Sequence, residues 1–354
     1  MNRSKICFVL PTLMQGGMER VVVELVNFYS SEGHDVSIIC MFKTEILYDV
    51  NVAVKIYMPI SGYKSSIYNK IILFKNLFYY LKKYARNGVV LGFGERFNSL
   101  TVVACKFLRI RVFISDRNNP LADNGNLNDK IRNIVYPFAN GIIAQTKFSK
   151  AHFLKIKLNK NIKVISNPLK DIGDFPKNEE EKKTIITIGR LDAGKNHLEL
   201  IDIFNKIGDF SWQLIIVGDG VLRKALNNKI EKLSLEKNVL LVGATSDVDY
   251  WLSKADIFAF TSLYEGFPNA LNEAMAFPLA CISYDCPAGP SEMINNGVNG
   301  FLIPLRDKKN YSEKLEFLMK NKIFRDKLKT QSLLVREKYN IKIIANQIFE
   351  FITM

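Results

Sequence analysis

Short apolar runs alternate with segments of helical periodicity along the chain. Lys5–Leu10 is continuous and apolar, as expected of a strand that is buried on both faces. Met18–Ser31 then repeats apolar residues at helical spacing and ends before Gly33. Repeated alternation of this kind predicts parallel strands connected by crossover helices. In the first half of the chain, the further predicted strands are Val36–Met41, Val89–Phe93, Val112–Ser115, Gly141–Ala144 and Lys163–Ile165.

A polar stretch, Lys170–Lys183, interrupts this alternation. It contains Pro176, the acidic run Glu179–Glu181 and few apolar residues, which is typical of an exposed linker. The alternation then resumes. The predicted strands are Thr184–Ile188, Trp212–Val217, Val239–Val242 and Ile257–Phe260, and the predicted helices are Asn196–Lys206, Leu222–Leu233 and Val248–Ser253.

These patterns predict an α/β fold of two doubly wound, Rossmann-like domains. We expect the first domain at 1–170, a linker at 171–183 and the second domain at 184–338. The last helical segment, 339–354, is expected to cross back to the first domain. Ligands bind such sheets outside the carboxyl ends of the strands, so we expect the two domains to face each other across a ligand-binding cleft.

The composition is that of an ordinary globular protein, since 48% of the residues are apolar and 24% are charged. Five cysteines without C-x-x-C spacing and three histidines without an H-E-x-x-H pattern favour buried thiols, and no metal is expected. No apolar run is long enough to span a bilayer. Pro11 follows the first apolar run too closely for a signal peptide, so we expect a cytoplasmic protein.

The positive charge is concentrated in the first half of the chain. The net charge is +14, and residues 1–170 carry 25 Lys and Arg against 10 Asp and Glu. The remaining residues are therefore close to neutral. This asymmetry indicates that the first half meets an anionic partner, such as nucleic acid, acidic lipid or a phosphorylated substrate.

The segment Ile188–Asn196 carries the first chemical signal. It connects a predicted strand to a predicted helix and presents Arg190, Lys195 and two glycines. Helix-start N–H groups beside such cations can hold a diphosphate, although a solvated turn with incidental charges is the simpler interpretation of the loop alone. The turn Val217–Gly220 is a topology marker of the same fold, and Gly243 could let a nucleobase approach the backbone.

The segment Tyr264–Ala274 is more specific because Glu265 and Glu273 lie eight residues apart around a predicted helix start. Pro268 suits the first helical turn, which places Glu265 in the preceding loop and Glu273 on the second turn. The amides of Asn269, Ala270 and Leu271 are expected to point outward and could bind an anion, and the two carboxylates could accept bonds from sugar hydroxyls. Taken alone, the segment could also be a capped surface helix. The residues between the carboxylates that we assign to the donor are Gly266, Phe267, Asn269, Ala270 and Leu271.

In order and spacing, these motifs resemble the GT-B glycosyltransferases of family 4, which are retaining enzymes that use nucleotide-sugar donors. The similarity extends from Pro11–Arg20, a glycine loop that includes Gly17, through Asn167-Pro168 to Gly297–Pro304. It implies that Gly17 lies at the donor and that Arg190 and Lys195 hold its diphosphate. It further implies that Glu273 binds the ribose and that Glu265 contacts the transferred sugar. No metal or other cofactor is then expected.

Two segments depart from the family pattern. Arg117 stands where the family often has a histidine that faces the donor sugar, so we place Arg117 with Glu265 at the catalytic centre. Asp285–Glu292 resembles a subgroup that acts on surface polysaccharides, such as O-antigen, and on lipid-linked oligosaccharides. That resemblance implies a lipid-linked saccharide acceptor and a location on the inner face of the cell membrane.

The segment Lys64–Arg86 pairs apolar residues at helical spacing with basic and aromatic residues. A packed crossover helix and a surface for anionic lipid both explain this pattern, and the two interpretations stay open. The cations assigned to an acceptor or membrane surface are Lys70, Lys75, Lys82 and Lys83.

The leading functional hypothesis is transfer of a hexose or N-acetylhexosamine from a UDP-sugar to a lipid-diphosphate-linked saccharide. A nucleotide-sugar epimerase of the same two-domain shape is the alternative. A nucleic-acid-binding protein ranks low because the basic residues form no aromatic-interleaved recognition motif. A nicotinamide oxidoreductase also ranks low, since no G-x-G-x-x-G follows the first strand.

Overall fold

The computed structural model describes residues 3–14, 16–59, 67–117, 119–121, 125–170, 172–173 and 183–354, without the side chains of residues 67–70 and 126. The chain divides into two compact units. The first contains Met1–Lys170 and Tyr339–Met354, and the second contains Asp171–Lys338. Most of the expected linker, 171 and 174–182, lies outside the described residues.

The first unit is built on strands that are almost entirely buried, with short apolar sequences. They are β1 (Lys5–Leu10), β2 (Asp35–Cys40), β3 (Lys55–Tyr57), β4 (Val89–Phe93), β5 (Arg111–Asp116), β6 (Gly141–Ala144) and β7 (Ile162–Val164). Among the described residues they form one parallel sheet in the order β3-β2-β1-β4-β5-β6-β7. The helices before the linker are α1 (Gly17–Ser31), α2 (Ile67–Tyr84), α3 (Glu95–Phe107), α4 (Asn126–Val135) and α5 (Lys147–Lys155).

The second unit repeats this architecture with six strands in its described residues. They are β8 (Thr184–Ile188), β9 (Gln213–Val217), β10 (Val239–Gly243), β11 (Ile257–Phe260), β12 (Ala280–Asp285) and β13 (Phe301–Pro304). Their order is β10-β9-β8-β11-β12-β13, and all pairs are parallel. The helices are α6 (His197–Ile207), α7 (Arg223–Lys232), α8 (Val248–Ser253), α9 (Asn269–Met275), α10 (Pro290–Met293), α11 (Lys308–Lys320), α12 (Lys322–Ser332) and α13 (Val335–Lys338).

In each sheet, the order in which strands are added reverses at the first strand, β1 or β8. The chain moves outward from β1 to β2 and then returns to its other side at β4, and β8, β9 and β11 repeat this arrangement. Such a switch point leaves a crevice at the carboxyl ends of the two central strands, because the loops there diverge to opposite sides. The fold is therefore the predicted pair of doubly wound α/β units.

The C-terminal helix α14 (Ile341–Thr353) belongs to the first unit and packs against α1. The buried Tyr29 hydroxyl of α1 donates to the carbonyl of Ala345 at 2.7 Å. At the start of this segment, the Leu169 amide donates to the Tyr339 carbonyl at 2.8 Å. A Cβ added at Gly141 would lie 2.7 Å from the Phe351 ring, so a larger residue on β6 would displace α14.

The predicted bounds of β1, β4, β6, β8, β11 and α8 are confirmed, and the other predicted elements shift by one or two residues. Three strands were not predicted: β3, β12 and β13. Strand β3 is three residues long and partly exposed, so it gives little pattern. Strand β12 closely follows α9 in one apolar stretch, and periodicity alone does not divide such a stretch into helix and strand.

Helix α2 confirms the helical interpretation of its segment, and residues 64–66 lie outside the described residues. Its buried row is Leu73, Leu77 and Leu81, whereas the apolar Ile71 is 52% exposed. The three leucines are four residues apart, so they lie on one face of the helix, and that face packs into the core of the first unit. In the part of the chain that the structure describes, no helix has the length and apolar character needed to cross a bilayer.

Candidate functional site

Glycine turns bind the loop after β8 to the loop after β9. The Gly189 amide donates to the Val217 carbonyl at 3.0 Å, and the Leu191 amide donates to the Asp219 carbonyl at 2.9 Å. A Cβ added at Gly218 would lie only 2.0 Å from the Gly189 oxygen. The turn after β9 therefore needs glycine, because any side chain there would push away the loop that carries Arg190 and Lys195.

A second set of contacts joins the loop after β8 to the loop after β11. The Leu263 amide donates to the Gly194 carbonyl at 2.8 Å, and the Thr261 hydroxyl donates to the Lys195 carbonyl at 3.0 Å. Gly194 also lies against Tyr264, since an added Cβ would be 2.7 Å from that ring. Because β8 and β11 are adjacent strands, these bonds hold both loops at one edge of the sheet.

The centre of this site is an ion pair between Lys195 and Glu265. The Lys195 Nζ lies 2.5 Å from the Glu265 Oε1, and the two side chains are 19% and 10% exposed. Lys195 Nζ also lies 5.6 Å from the centroid of the Phe260 ring. A charge-assisted hydrogen bond with little solvent around it is stronger than an exposed pair, and its geometry is more restricted. The structure thus brings together two residues that the sequence placed in separate motifs.

Asn196 sets the backbone direction that places Lys195 in this pair. Its φ is +57°, in the left-handed region, and it immediately precedes α6. Asparagine tolerates this conformation better than most residues with a Cβ. The Thr261 hydroxyl also approaches the Asn196 carbonyl at 3.3 Å, so both carbonyls at the bend are fixed.

Two further groups surround the ion pair. Burial, together with the neighbouring Lys195, lowers the pKa of His197 to about 4 against an opposing effect of Asp192, so the imidazole is neutral at pH 7. Burial and the neighbouring Glu265 raise the pKa of the Cys286 thiol to about 12, against an opposing effect of Lys195. Cys286 is therefore an uncharged thiol near the pair. Sequence analysis did not assign Cys286 to the site, because its neighbourhood with Glu265 arises from the packing of β12 beside β11.

Arg190 lies at the other end of the same loop and is much more accessible. Its side chain is 84% exposed, and its Nε lies 3.6 Å from the Asp192 carboxylate. An exposed guanidinium with a weak partner can turn towards an anionic ligand at little cost. The two cations predicted to bind phosphate thus differ. The Lys195 side chain is held in an ion pair, whereas the exposed Arg190 side chain can turn towards a ligand.

Helix α9 places the paired glutamates as predicted, with Glu265 in the preceding loop and Glu273 on the second turn. Two details were wrong. Pro268 precedes the first helical turn, where its ring packs against Gly289. The Asn269 amide does not point outward, because it donates to the Phe267 carbonyl at 2.9 Å.

The other assigned donor residues lie around the start of α9. Phe267 and Leu271 bury their side chains in the second unit. Asn272 is the first residue of α9 whose amide enters the helical ladder, through the Pro268 carbonyl at 3.0 Å. The amides of Ala270 and Leu271 precede that ladder, as in any first helical turn, and Gly266 lies in the loop before the helix.

The two remaining assigned glycines are Gly243 and Gly17. Gly243 ends β10 with φ +93°, and its carbonyl accepts the Gly218 amide at 2.9 Å. It therefore holds the turn after β9, while the space above it is limited by Arg223, 3.2 Å from an added Cβ. Gly17 is the exposed first residue of α1 and belongs to the first unit.

The first unit carries its own polar cluster at the carboxyl end of its sheet, centred on Arg117. The Arg117 amide donates to the Glu95 carboxylate at 2.6 Å. Its guanidinium donates to the Ser115 hydroxyl at 3.1 Å and to the Asn167 side-chain oxygen at 2.6 Å. The same Asn167 oxygen accepts the Gln145 side-chain amide, so Glu95 after β4, Gln145 after β6 and Asn167 after β7 form one hydrogen-bonded cluster with Arg117.

The electrostatics of this cluster keep Arg117 charged. Burial lowers the pKa of Arg117, whereas the carboxylates of Glu95 and Glu19 raise it, and an arginine remains protonated at neutral pH. The guanidinium carbon also lies 4.6 Å from the centroid of the Phe93 ring. Burial raises the pKa of Glu19, while Arg117 lowers it. Sequence analysis did not assign Glu19, Glu95 or Gln145, since nothing in their local sequence distinguishes them from other helix or loop polar residues.

The cations assigned to a membrane surface lie on the outer face of α2. Lys75, Lys82 and Lys83 are exposed, and Lys83 Nζ lies 3.3 Å from the Tyr79 hydroxyl. The side chain of Lys70 lies outside the described residues. Cations, the exposed Tyr79 and the exposed Ile71 therefore share one face of this helix. In the described part of the chain, no three His, Cys, Asp or Glu side chains cluster as a metal site would require.

Comparison with known proteins gives consistent matches over nearly the whole chain. The family model Glycosyl transferases group 1 matches residues 170–333, and the model Glycosyltransferase Family 4 matches residues 15–170. A Campylobacter jejuni protein, GalNAc-alpha-(1->4)-GalNAc-alpha-(1->3)-diNAcBac-PP-undecaprenol alpha-1,4-N-acetyl-D-galactosaminyltransferase, is 28% identical over 332 residues, 92% of this chain and 91% of that protein. The amylovoran biosynthesis glycosyltransferase AmsD of Erwinia amylovora is 26% identical over 316 residues, 86% of each chain.

Solved structures show the same fold at lower identity. Staphylococcus aureus TarM superposes with a TM-score of 0.83 at 16% identity, covering 99% of this chain and all of that chain. Anabaena HepE, solved with UDP and glucose, superposes with a TM-score of 0.82 at 17% identity and covers the same shares. These neighbours establish that the two units have the architecture of GT-B glycosyltransferases.

The contribution of the left-handed bend at Asn196 can be measured by thermal unfolding of variants at this position. We expect Asn196→Ala to destabilise the second unit by about 1–2 kcal/mol, since alanine resists this conformation. The thermal unfolding midpoint should fall by a few degrees. Asn196→Gly is the matched control, because glycine adopts the bend freely, and it should unfold closer to the wild-type temperature. Equal midpoints for the two variants would contradict the role of the bend.

Proposed function

The chain belongs to the GT-B glycosyltransferases of family 4, and we propose that it transfers a hexose or N-acetylhexosamine from a UDP-sugar to a lipid-diphosphate-linked saccharide, with retention at the anomeric carbon. The observation that carries the proposal is the Lys195–Glu265 pair, held at the switch point of the second sheet by bonds from both flanking loops. The named acceptor of the Campylobacter relative supports the lipid-linked substrate. The wider role is assembly of a bacterial surface glycan.

In this proposal the second unit binds the donor and stabilises the leaving diphosphate. The acceptor oxygen forms a bond to the anomeric carbon while the bond from that carbon to the UDP oxygen breaks. The hydroxyl proton of the acceptor passes to the departing phosphate. Negative charge grows on UDP as the bond breaks, and Lys195 and Arg190 supply the opposing charge without a metal.

Glu265 acts by position and charge in this scheme. Its carboxylate is bonded to Lys195, so it is an acceptor of hydrogen bonds rather than an uncommitted nucleophile. Retaining transfer by such a site need not follow the paired-carboxylate scheme of glycosidases. We propose that Glu265 contacts the transferred sugar, that Glu273 contacts the ribose, and that the remaining donor contacts come from backbone groups near the start of α9.

The first unit is proposed to receive the acceptor. Arg117, in place of the family histidine, is a fixed cation at the carboxyl end of its sheet and is assigned to the reacting sugar. The exposed cations of α2 are assigned to the anionic surface of the inner leaflet, where a lipid-linked acceptor would be embedded. Attachment would then be peripheral. Nucleic acid is not among the proposed partners.

The donor cations give the first test of the proposal. We expect Lys195→Ala and Arg190→Ala each to remove a charge-assisted contact to the diphosphate, worth about 1.5–3 kcal/mol. UDP affinity measured by calorimetry should fall about tenfold or more. Lys232→Ala, an exposed lysine on α7, is the matched control and should bind UDP normally. Unchanged affinity in both loop variants would refute this phosphate site.

The two glutamates are expected to fail in different ways. Glu273→Gln should weaken UDP binding, whereas Glu265→Gln should lower turnover of the UDP-sugar with UDP binding largely retained. Glu231→Gln, which changes an exposed carboxylate of α7, serves as the control. The measurements are UDP calorimetry and UDP release in the presence of acceptor. Wild-type kinetics in both variants would mean that the paired glutamates are helix surface.

The assignment of Lys195 and Arg190 to the diphosphate also predicts independence from divalent metal. UDP release with acceptor should continue in EDTA, because the two side chains provide the positive charge at the leaving group. A complete loss of activity that manganese restores would show that a metal neutralises the diphosphate instead.

A further inference from the structure

Helix α4 and the short 3-10 turn that follows it, Tyr136–Phe138, are oriented with their apolar side outward. Leu127, Ile131 and Ile134 recur at intervals of four and three residues, so they share one face of the helix. They are 70%, 41% and 67% exposed, and Phe138 continues the row at 61%. We call these four residues the α4 stripe. No described residue of the chain covers it.

Polar contacts on the inner side fix this orientation. Arg132 is buried, and its Nη1 lies 3.9 Å from Asp116 at the end of β5. The Tyr136 ring is also buried; its hydroxyl donates to the Glu95 carbonyl at 3.3 Å, and its own carbonyl accepts the Asn159 side-chain amide at 2.9 Å. An ordinary surface helix packs its apolar face on the core. The reversed arrangement here leaves a row of large apolar side chains that packing within the unit does not use.

Exposed cations lie on the helix of the stripe and on α2. Lys130 is exposed and lies three or four residues from Leu127 and Ile134, beside them on the helix. Helix α3 packs against both α2 and α4, which places the three helices on the same side of the sheet. The exposed cations of α2 and the α4 stripe therefore belong to one side of the first unit.

We infer that the α4 stripe inserts into the interfacial region of an anionic lipid bilayer, while the α2 cations contact its headgroups. Contiguous exposed apolar residues bordered by cations fit a surface that is anionic outside and apolar beneath. A soluble acidic protein would match the cations but not the row of aliphatic and aromatic side chains. The inference rests on the proposed membrane attachment and adds the element that enters the lipid.

Hydrogen bonds connect the inner side of the α4 stripe to the proposed acceptor site. The Tyr136 hydroxyl, on the inner side of the stripe, donates to the Glu95 carbonyl, and the Glu95 carboxylate accepts the Arg117 amide. A bilayer that contacts the stripe would thus lie beside the loop that carries the Arg117 cluster. An acceptor anchored by a lipid chain could present its sugar there without leaving the membrane.

The experiment compares vesicle binding of three variants of the full chain. Ile131→Gln with Ile134→Gln removes the centre of the stripe. Lys75→Glu, Lys82→Glu and Lys83→Glu reverses the α2 charge. Val221→Gln with Ile323→Gln is the matched control, since both are strongly exposed aliphatic residues of the second unit. Exposed substitutions of this kind leave folding largely unchanged, which thermal unfolding verifies.

Binding is measured by sedimentation with vesicles of phosphatidylcholine alone and of equimolar phosphatidylcholine and phosphatidylglycerol, at low and high salt. We expect the stripe variant to lose about tenfold in partitioning at both salt concentrations, because apolar burial is not screened. The charge variant should lose binding only to the anionic vesicles at low salt. The control should bind like the wild type.

Insertion itself is tested with Ile134→Trp and lipids brominated in their acyl chains. Quenching of the new tryptophan, and none for Val221→Trp, supports insertion. Wild-type partitioning of the stripe variant, or an unquenched Trp at 134, overturns the inference. A dimer that the stripe substitutions dissociate, with vesicle binding unchanged, assigns the stripe to a second copy of the chain and also overturns it. Sugar transfer to a water-soluble acceptor is assayed in parallel. If the wild-type protein transfers no sugar to that acceptor, the proposed function is refuted independently of the membrane inference.

Discussion

The arrangement of the second unit depends on the ion pair between Lys195 and Glu265. Each residue lies on a loop with little regular structure, and each loop follows one of two adjacent parallel strands. A carboxylate that is 10% exposed is costly to bury without a cation beside it. The pair therefore requires both loops to stay in register. The bonds from Thr261, Leu263 and the glycine turn after β9 supply that register through the backbone.

The two units use the same topology to build different electrostatic environments. In the second unit, a lysine and a glutamate form a compact pair, and an exposed arginine remains available beside it. In the first unit, the Arg117 guanidinium is bonded to Ser115 and Asn167, and its backbone amide is bonded to the Glu95 carboxylate. Parallel sheets allow this because all their strand ends meet at one edge, whereas the residues at each end vary independently. The fold thus fixes where chemistry occurs and leaves its nature to the loops.

Packing also decided the surface of the first unit. Arg132 of α4 pairs with Asp116, and Tyr136 of the following turn fills the core, so these two residues define the buried side. The aliphatic residues are then left on the outside by geometry. A similar selection occurs on α2, where three leucines pack inward and Ile71 stays exposed. In both helices the periodicity defines faces, and tertiary contacts choose among them.

The sequence by itself determined the alternation of strands and helices, the two-unit organisation and the positions of Glu265 and Glu273 around the start of α9. These features depend on side-chain periodicity and on turn residues within a few positions of one another, which the linear sequence contains. It could not determine that Lys195 meets Glu265, that Cys286 lies near them, or that Asn167 bonds to both Arg117 and Gln145. Those neighbours are far apart in the chain, and only strand order brings them together. The outward face of α4 was likewise decided by tertiary structure, because a buried arginine with its carboxylate competes with aliphatic residues for the core, and local pattern does not reveal which one wins.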